Sequence, residues 1–339
     1  MTDLTAPRPS PGGNDLDAPV RAARERLRGV LEATQLVEVD AGNPLLSVRL
    51  KLECNQETGA FKARGAWNQI SQLTPSQLAR GVVTASSGNH GKALSWAASR
   101  AGARATICMP SNAYRSKIEA CREFGAEVVL CEDRAAADRA AAERAEAGAV
   151  EIPPYDSERT LHGQGTVALE VFEQWPEAEV LVVPIGGGGL LAGCSLVVAA
   201  RRAAGVDTQL FGVEPEGAAA MLTSFEAGRA LPLERVDSQI QGLTPPRAGA
   251  IPFSVAQPHV NRVLALSDAK ILEAQHALVH SLDLPVEPAG AASYALVREG
   301  LLTELLAGRS AADPLRVVCV VTGGNPDPEQ LAAVRAAKP

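Results

Sequence analysis

A chain of 339 residues exceeds one typical domain, so two lobes are the first expectation. A net charge of −7 and a pI near 5.4 leave no basic surface to hold nucleic acid or an anionic membrane, and no apolar run reaches the ~20 residues of a span. The 46% hydrophobic content can fill sizeable cores, and six scattered cysteines without a C-x-x-C pair read as free thiols of a cytoplasmic protein, not as disulfides or a zinc site.

Residues 1–16, rich in Pro, Gly and Asp, read as a disordered tail without the basic start and apolar middle of a signal peptide. A helix begins at Asp17, with Pro19 in its first turn and Val20, Leu27, Val30 and Leu31 as its apolar stripe. Leu36–Val39 and Val48–Leu52 alternate with period two, as half-buried strands do. The stretch Thr58 to Ala66 opens a helix running to about Leu73, and Thr74-Pro75 breaks the chain. Strict alternation follows: strand Val82–Thr84, helix His90–Ser99, strand Ala105–Cys108, helix Arg115–Phe124, strand Glu127–Cys131 and an Ala/Arg helix to Glu146. A helix from about Gly165 to Glu173, strand Val180–Val183, Gly186–Gly189 and a helix to Arg202 continue the pattern. Strand Leu210–Val213 and a short helix from Ala218 precede residues 228–262, which read as a long irregular loop. Helices Asp268–Ser281 and Gly290–Leu306, strand Val317–Val321 and a terminal helix complete the chain. Alternation of this kind predicts an α/β fold with parallel sheets and right-handed crossovers.

Three loops and one lysine carry the chemistry. Lys62 stands at a helix start, where the macrodipole disfavours a cation, in a chain with six lysines against 26 arginines. A desolvated lysine in such a place serves as nucleophile or base. Gly186-Gly187-Gly188-Gly189, between a buried strand and a helix, aims bare N–H groups at an anion, and a phosphate is the expected guest. No Gly-Lys-Ser/Thr follows, so it is not a P-loop; Glu214 at the end of the next strand leaves a dinucleotide open on this loop alone. Ser86-Ser87-Gly88-Asn89-His90-Gly91 is a second anion-receptive helix start, suited to a carboxylate. Thr322 places one hydroxyl after the last strand. Together these describe pyridoxal 5'-phosphate (PLP) and an amino acid.

With Lys51-Leu-Glu53 and Gly163 to Glu170, these motifs stand in an order, across about residues 34–326, that resembles the serine/threonine dehydratase and serine racemase family. That family belongs to the fold type II, tryptophan synthase β-like PLP enzymes. The resemblance implies a large PLP-binding domain of residues 17–78 and 153–339, and a small mobile domain of residues 79–152. It implies that Lys62 is covalently tied to the cofactor and later moves the Cα proton, with Phe61 beside it. Asn89 would meet the phenolic oxygen, Gly186 to Gly189 the phosphate, Thr322 the pyridine nitrogen, and Glu287 the cofactor's surroundings. Ser86, Ser87, Gly88, Asn89 and His90 would receive the substrate, with Ser87 on the far face of Cα as a second catalytic group. A hydroxyl at the pyridine nitrogen makes a weaker electron sink than an aspartate would, which favours prompt loss of a β-leaving group. The implied activity is an ammonia-lyase that removes water from L-threonine, L-serine or a similar β-hydroxy amino acid, giving a 2-oxo acid and ammonia. Racemisation, β-replacement, dehydration of a bulkier substrate and a PLP-free dinucleotide protein are the rival readings. A homo-oligomer, a dimer, is the expected assembly.

The departures concern the substrate side. Thr322 replaces the family's usual serine, Gln35 its proline, Tyr114 a proline and His162 an alanine, and the usual Ala-Asp-Gly reads Ile240-Gln241-Gly242. Glu214 matches a cation-site glutamate, but Ala218, Ala219 and Ala220 supply no second carboxylate. His276 and His280, one helical turn apart, lack a third ligand, so no metal is expected. The Arg-rich face of residues 134–144 reads as solvated helix.

Overall fold

Runs of β-branched and apolar residues sort the chain into two sheets. The computed structural model describes residues 15–337, so of the tail expected over residues 1–16 all but Asp15 and Leu16 lies outside the described residues. The chain runs α1 (Ala18–Leu27), β1 (Leu36–Val39), β2 (Leu46–Lys51), α2 (Lys62–Ile70), α3 (Pro75–Arg80), β3 (Val82–Ala85), α4 (Asn89–Arg100), β4 (Ala105–Pro110), α5 (Arg115–Glu123), β5 (Glu127–Cys131), α6 (Arg134–Glu146) and β6 (Val150–Glu151). It continues α7 (Glu158–Gln174), β7 (Val180–Pro184), α8 (Gly189–Ala203), β8 (Gln209–Pro215), α9 (Ala220–Ala227), α10 (Ala250–Ala256), β9 (Arg262–Leu266), α11 (Asp268–Leu282), α12 (Pro288–Arg298), β10 (Leu315–Val320) and α13 (Pro328–Ala336).

The larger sheet has the order β1-β2-β10-β7-β8-β9, parallel except for the antiparallel β1–β2 pair. The smaller, β5-β4-β3-β6, is wholly parallel. This is the mixed α/β architecture, rich in parallel strands flanked by helices, that the alternation predicts. Both faces of the larger sheet are covered, so its central strands are apolar throughout. Alternate residues of β7 show why: Val180 and Val182 enter the core shared with α11 and α12, while Leu181 and Val183 enter the core shared with α7 and α8. Around the smaller sheet, Val82, Ile107 and Met109 pack with Leu94 of α4, and the same core takes Leu27 from α1 and Ala63, Ala66 and Ile70 from α2. Helix α2, which begins with Lys62, is therefore packed between the two sheets.

Several elements differ from expectation for local reasons. Helix α7 starts at Glu158, two turns earlier than expected, because Gly163 and Gly165 serve close packing and do not end the helix. A Cβ on Gly163 would sit 2.7 Å from the Arg64 carbonyl oxygen of α2, and one on Gly165 would sit 2.6 Å from the Gly193 carbonyl oxygen of α8. Thr74-Pro75 ends one helix and also starts another: Thr74 and Gln77 form a reciprocal capping box for α3. The expected loop of residues 228–262 contains α10, whose Pro252 lies in the first turn, where a proline costs no intrahelical bond, and its last residue begins β9. Short β6 escapes pattern reading altogether, and α12 stops at Arg298.

No helix among the described residues is long and apolar enough to cross a membrane. All six cysteines are free, and all but the half-buried Cys131 are buried. Gly193→Ala tests the helix packing. Its Cβ would meet the Leu161 carbonyl oxygen at 2.1 Å, an approach that only backbone displacement relieves. Overpacking of this kind costs about 1–3 kcal/mol, so the variant should melt several degrees below the parent in a thermal scan.

Candidate active site

The site gathers at the C-terminal ends of the parallel strands, where loops from both sheets meet. The strand β2, through the short turn that follows it, leads to Phe61 and Lys62, β3 to Ser86–His90, β6 to Pro154 and Tyr155, β7 to Gly186–Gly189 and β10 to Thr322. All of these residues, together with Glu287 at the start of α12, line one cavity of about 370 Å³. Every residue singled out for the site in the sequence thus borders the same space.

Lys62 is held by lacing between two loops. Phe61 N–H donates to the Thr322 carbonyl at 3.1 Å, and Gly324 N–H donates to the Gly59 carbonyl at 2.8 Å. Gly59 has φ +72°, and a side chain there would strike Asn325. Lys62 Nζ donates to the Pro154 carbonyl at 2.8 Å. Burial lowers the amine from 10.5 to about 8, within reach of the free base at neutral pH. The sign has two consequences. Cofactor attachment needs the free base, so its rate in stopped-flow mixing should rise with pH up to about 8 and level above it. The unfolded chain holds this proton longer, so the group adds stability to the cofactor-free protein as pH rises from about 8 to 10.5.

The glycine loop is built to receive an anion. The N–H groups of Gly186 to Gly189 find no acceptor among the described residues, and α8 begins at Gly189. Gly188 has φ +93°. A Cβ on Gly187 would lie 2.2–2.4 Å from the Tyr155 ring, so the loop needs glycine there for space. Free donors at a helix N-terminus suit a phosphate dianion. The lysine amine lowered to about 8, the phosphate loop and the Thr322 hydroxyl facing one cavity are the parts PLP requires, so the residues present fit it. Thr322 Oγ1 donates to the Ala289 carbonyl at 3.3 Å, a long bond that a ring nitrogen could replace.

The serine loop is less open than its composition suggests. Ser86 Oγ accepts from the N–H groups of Gly88 at 3.4 Å and Gly91 at 3.2 Å, capping α4. Ser87 makes no such bond, and both serines line the cavity. His90 Nε2 donates to the Ile152 carbonyl at 2.9 Å, which leaves Nδ1 as a buried acceptor without a partner among the described residues. Burial and the Lys62 charge lower this imidazole to about 3, so it stays neutral. Asn89 Nδ2 donates to Glu287 Oε1 at 2.6 Å, and burial raises that carboxyl.

Sequence reading missed Tyr155, Lys117, Arg134 and Pro154. Each lines the cavity, but only the crossing of the second sheet onto the first brings them there. The Pro-Pro-Tyr run before α7 was the one visible signal. Lys117 Nζ donates to Gln241 Oε1 at 3.2 Å, joining α5 to the loop beyond α9. Glu214 lies outside the cavity and caps α9, accepting from Met221 N–H at 2.9 Å and Leu222 N–H at 2.8 Å, while burial raises it to about 8. The His276 and His280 rings lie tilted against each other with centroids 4.3 Å apart, and His280 Nε2 donates to the Val334 carbonyl. No cluster of three or more His, Cys, Asp or Glu side chains suited to a metal occurs among the described residues.

Comparison with known proteins points to the same cofactor. The family described as pyridoxal-phosphate dependent enzyme matches residues 27–323. The L-threo-3-hydroxyaspartate ammonia-lyase of a Pseudomonas species is 36% identical over 92% of this chain and 96% of its own length. The L-threonine ammonia-lyase of Thermotoga maritima is 33% identical over 91% of this chain and 75% of its own. Maize serine racemase superposes with a TM-score of 0.83 at 32% identity, covering 94% of this chain and 96% of that one.

Proposed function

Because the chain belongs to the pyridoxal-phosphate dependent enzymes and is a PLP-dependent lyase, we propose that it removes water from a β-hydroxy-α-amino acid, L-threonine or L-serine, giving a 2-oxo acid and ammonia. One observation carries the reading: a half-buried lysine, its amine lowered to about 8, shares a cavity with an N–H cradle unpaired among the described residues and a lone hydroxyl. PLP, when bound, supplies the electron sink for charge at Cα. Lys62 holds the cofactor and, once freed, takes the proton from Cα. The Pro154 carbonyl, which accepts from Lys62 Nζ, orients the amine for both tasks. When the cofactor is bound, Gly186 to Gly189 would hold its phosphate through N–H groups, Asn89 would meet its phenolic oxygen and Thr322 its ring nitrogen, with Phe61 lining the wall beside Lys62. Ser87, with the N–H groups at the start of α4 and the His90 side, receives the substrate carboxylate. The region of the smaller sheet, residues 79–152, closes over the site, and the Lys117–Gln241 bond is a contact made across that gap.

The named relatives act on threonine and on 3-hydroxyaspartate, and the similar maize structure is a serine racemase. Ser87, free of the capping bonds that occupy Ser86, gives racemisation a second proton carrier and keeps it as the rival activity. A screen of β-hydroxy amino acids, both enantiomers, with oxo acid and ammonia measured beside the chirality of recovered substrate, decides between them. Oxo acid release in step with ammonia supports the lyase. Inverted substrate with little oxo acid would replace it with the racemase, and a new amino acid formed from an added thiol would replace it with β-replacement.

A further inference from the structure

Beneath the serine loop, four side chains form a line that ends in the cavity. Lys92 Nζ, from the first turn of α4, donates to Asn325 Oδ1 at 2.9 Å. Asn325 Nδ2 donates to the Thr58 carbonyl at 3.0 Å and to Asn89 Oδ1 at 2.9 Å. Asn89 Nδ2 in turn donates to Glu287 Oε1 at 2.6 Å. Asn89 and Glu287 line the cavity, whereas Lys92 and Asn325 stand behind them.

The chemistry of these groups allows one arrangement. An ammonium only donates, so Asn325 must turn its oxygen to Lys92. A backbone carbonyl only accepts, so the Asn325 NH₂ must face Thr58, and its second hydrogen goes to Asn89. That occupies the Asn89 oxygen and forces the Asn89 NH₂ toward Glu287 and the cavity. Of its two hydrogens, Glu287 takes one and the other is left for a ligand oxygen. An amide rotated by half a turn would present an oxygen to the cofactor's phenolic oxygen, which repels it.

We propose that Lys92 is a positioning residue for the cofactor: through Asn325 it fixes the Asn89 amide with a donor facing the phenolic oxygen of PLP. The proposal rests on the reading of Asn89 given above. Lys92 touches neither substrate nor cofactor. Its charge polarises the Asn325 amide, which strengthens the donor that holds Asn89.

Lys92→Met removes the donor at nearly equal length, Lys92→Gln keeps one, and Asn89→Ala removes the group being positioned. Each is titrated with PLP, reading the dissociation constant and the position of the visible absorbance maximum, beside the melting temperature of the cofactor-free protein. The expected result is about tenfold weaker PLP binding and a displaced maximum for Lys92→Met, with an unchanged melting temperature. Lys92→Gln should recover affinity to within about threefold of the parent. If Asn89→Ala changes affinity and spectrum but Lys92→Met does not, the role of Lys92 is overturned while the reading of Asn89 stands. If neither variant changes them, the reading of Asn89 falls and the proposal with it. A Lys92→Met loss that follows a lowered melting temperature and is not recovered by Lys92→Gln also overturns it, since structural damage then explains the result.

Discussion

Lys62→Ala should lose roughly 10³-fold or more of lyase turnover and the visible absorbance of bound PLP, while its circular dichroism and melting of the cofactor-free protein stay close to the parent's. The size follows from two functions ending together: the covalent hold on the cofactor and the proton transfer at Cα. The fold should tolerate the change because the side chain of Lys62 makes one hydrogen bond among the described residues, to the Pro154 carbonyl, and its amine is held unfavourably, as the fall to about 8 shows. Lys62→Arg should be as inactive as the alanine variant, because a guanidinium does not give up its proton near neutral pH. Added PLP should still enter Lys62→Ala, weakly, through the glycine cradle. A variant that kept both turnover and absorbance would remove the basis of the proposed activity.

Arg64→Met should cost the protein about 3–5 kcal/mol of stability. Arg64 is fully buried two residues after Lys62. Its Nε and Nη2 donate to the two oxygens of Glu53 at 2.7 and 2.8 Å, and its Nη1 and Nη2 to those of Glu170 at 2.7 and 2.8 Å. Lys51 Nζ reaches Glu170 at 2.8 Å and the Thr34 carbonyl at 2.7 Å, and Arg24 also pairs with Glu170. Truncation leaves Glu53, in a region closed to water, without a cationic partner and with the Thr34 hydroxyl as its remaining donor among the described residues, while Glu170 keeps Lys51 and Arg24. The network as a whole need not stabilise more than an apolar core would, but the loss of one member is severe. Thermal melting and urea denaturation would read the loss; a melting temperature within a degree or two of the parent's would contradict it.

Acid should reveal the same cluster. Burial raises the Glu170 carboxyl, but the attraction of Arg64 and Lys51 outweighs this and lowers it from 4.5 to about 2. Its contribution is therefore present above about 4.5 and lost as pH falls toward about 2. In Arg64→Met that part of the acid transition should shrink.

The cluster shows where reading the sequence stopped. Lys51-Leu-Glu53 was recognisable as part of a motif, but nothing local says that Lys51 turns inward to meet Glu170, more than a hundred positions away, or that Glu53 joins it through Arg64. Strand alternation points one face of β2 to solvent, but Val48 and Leu50 enter the core shared with α11 and α12 while Lys51, on the other face, is buried against Glu170 and Gln174 of α7. Gly163 and Gly165 failed for a related reason. In isolation they weaken a helix, and only the approach of α2 and α8 turns their missing side chains into an advantage.

The linear order of residues determined a great deal about this protein by itself. Alternating short apolar runs and amphipathic stretches dictated parallel sheets, because each is the period at which one backbone geometry hides its apolar side chains. Lys62, the four glycines, the serine loop and Thr322 were legible because each sits at a strand end or helix start, where local backbone geometry already exposes the reactive group. Tertiary structure alone decided what those groups face. Pro154 under the lysine, Tyr155 against Gly187, and Asn325 behind Asn89 all come from segments far apart in the chain, and their roles depend on direction and distance. Sequence periodicity reports which side of an element is buried, but the partner across the gap is set by how two sheets and the helix between them pack.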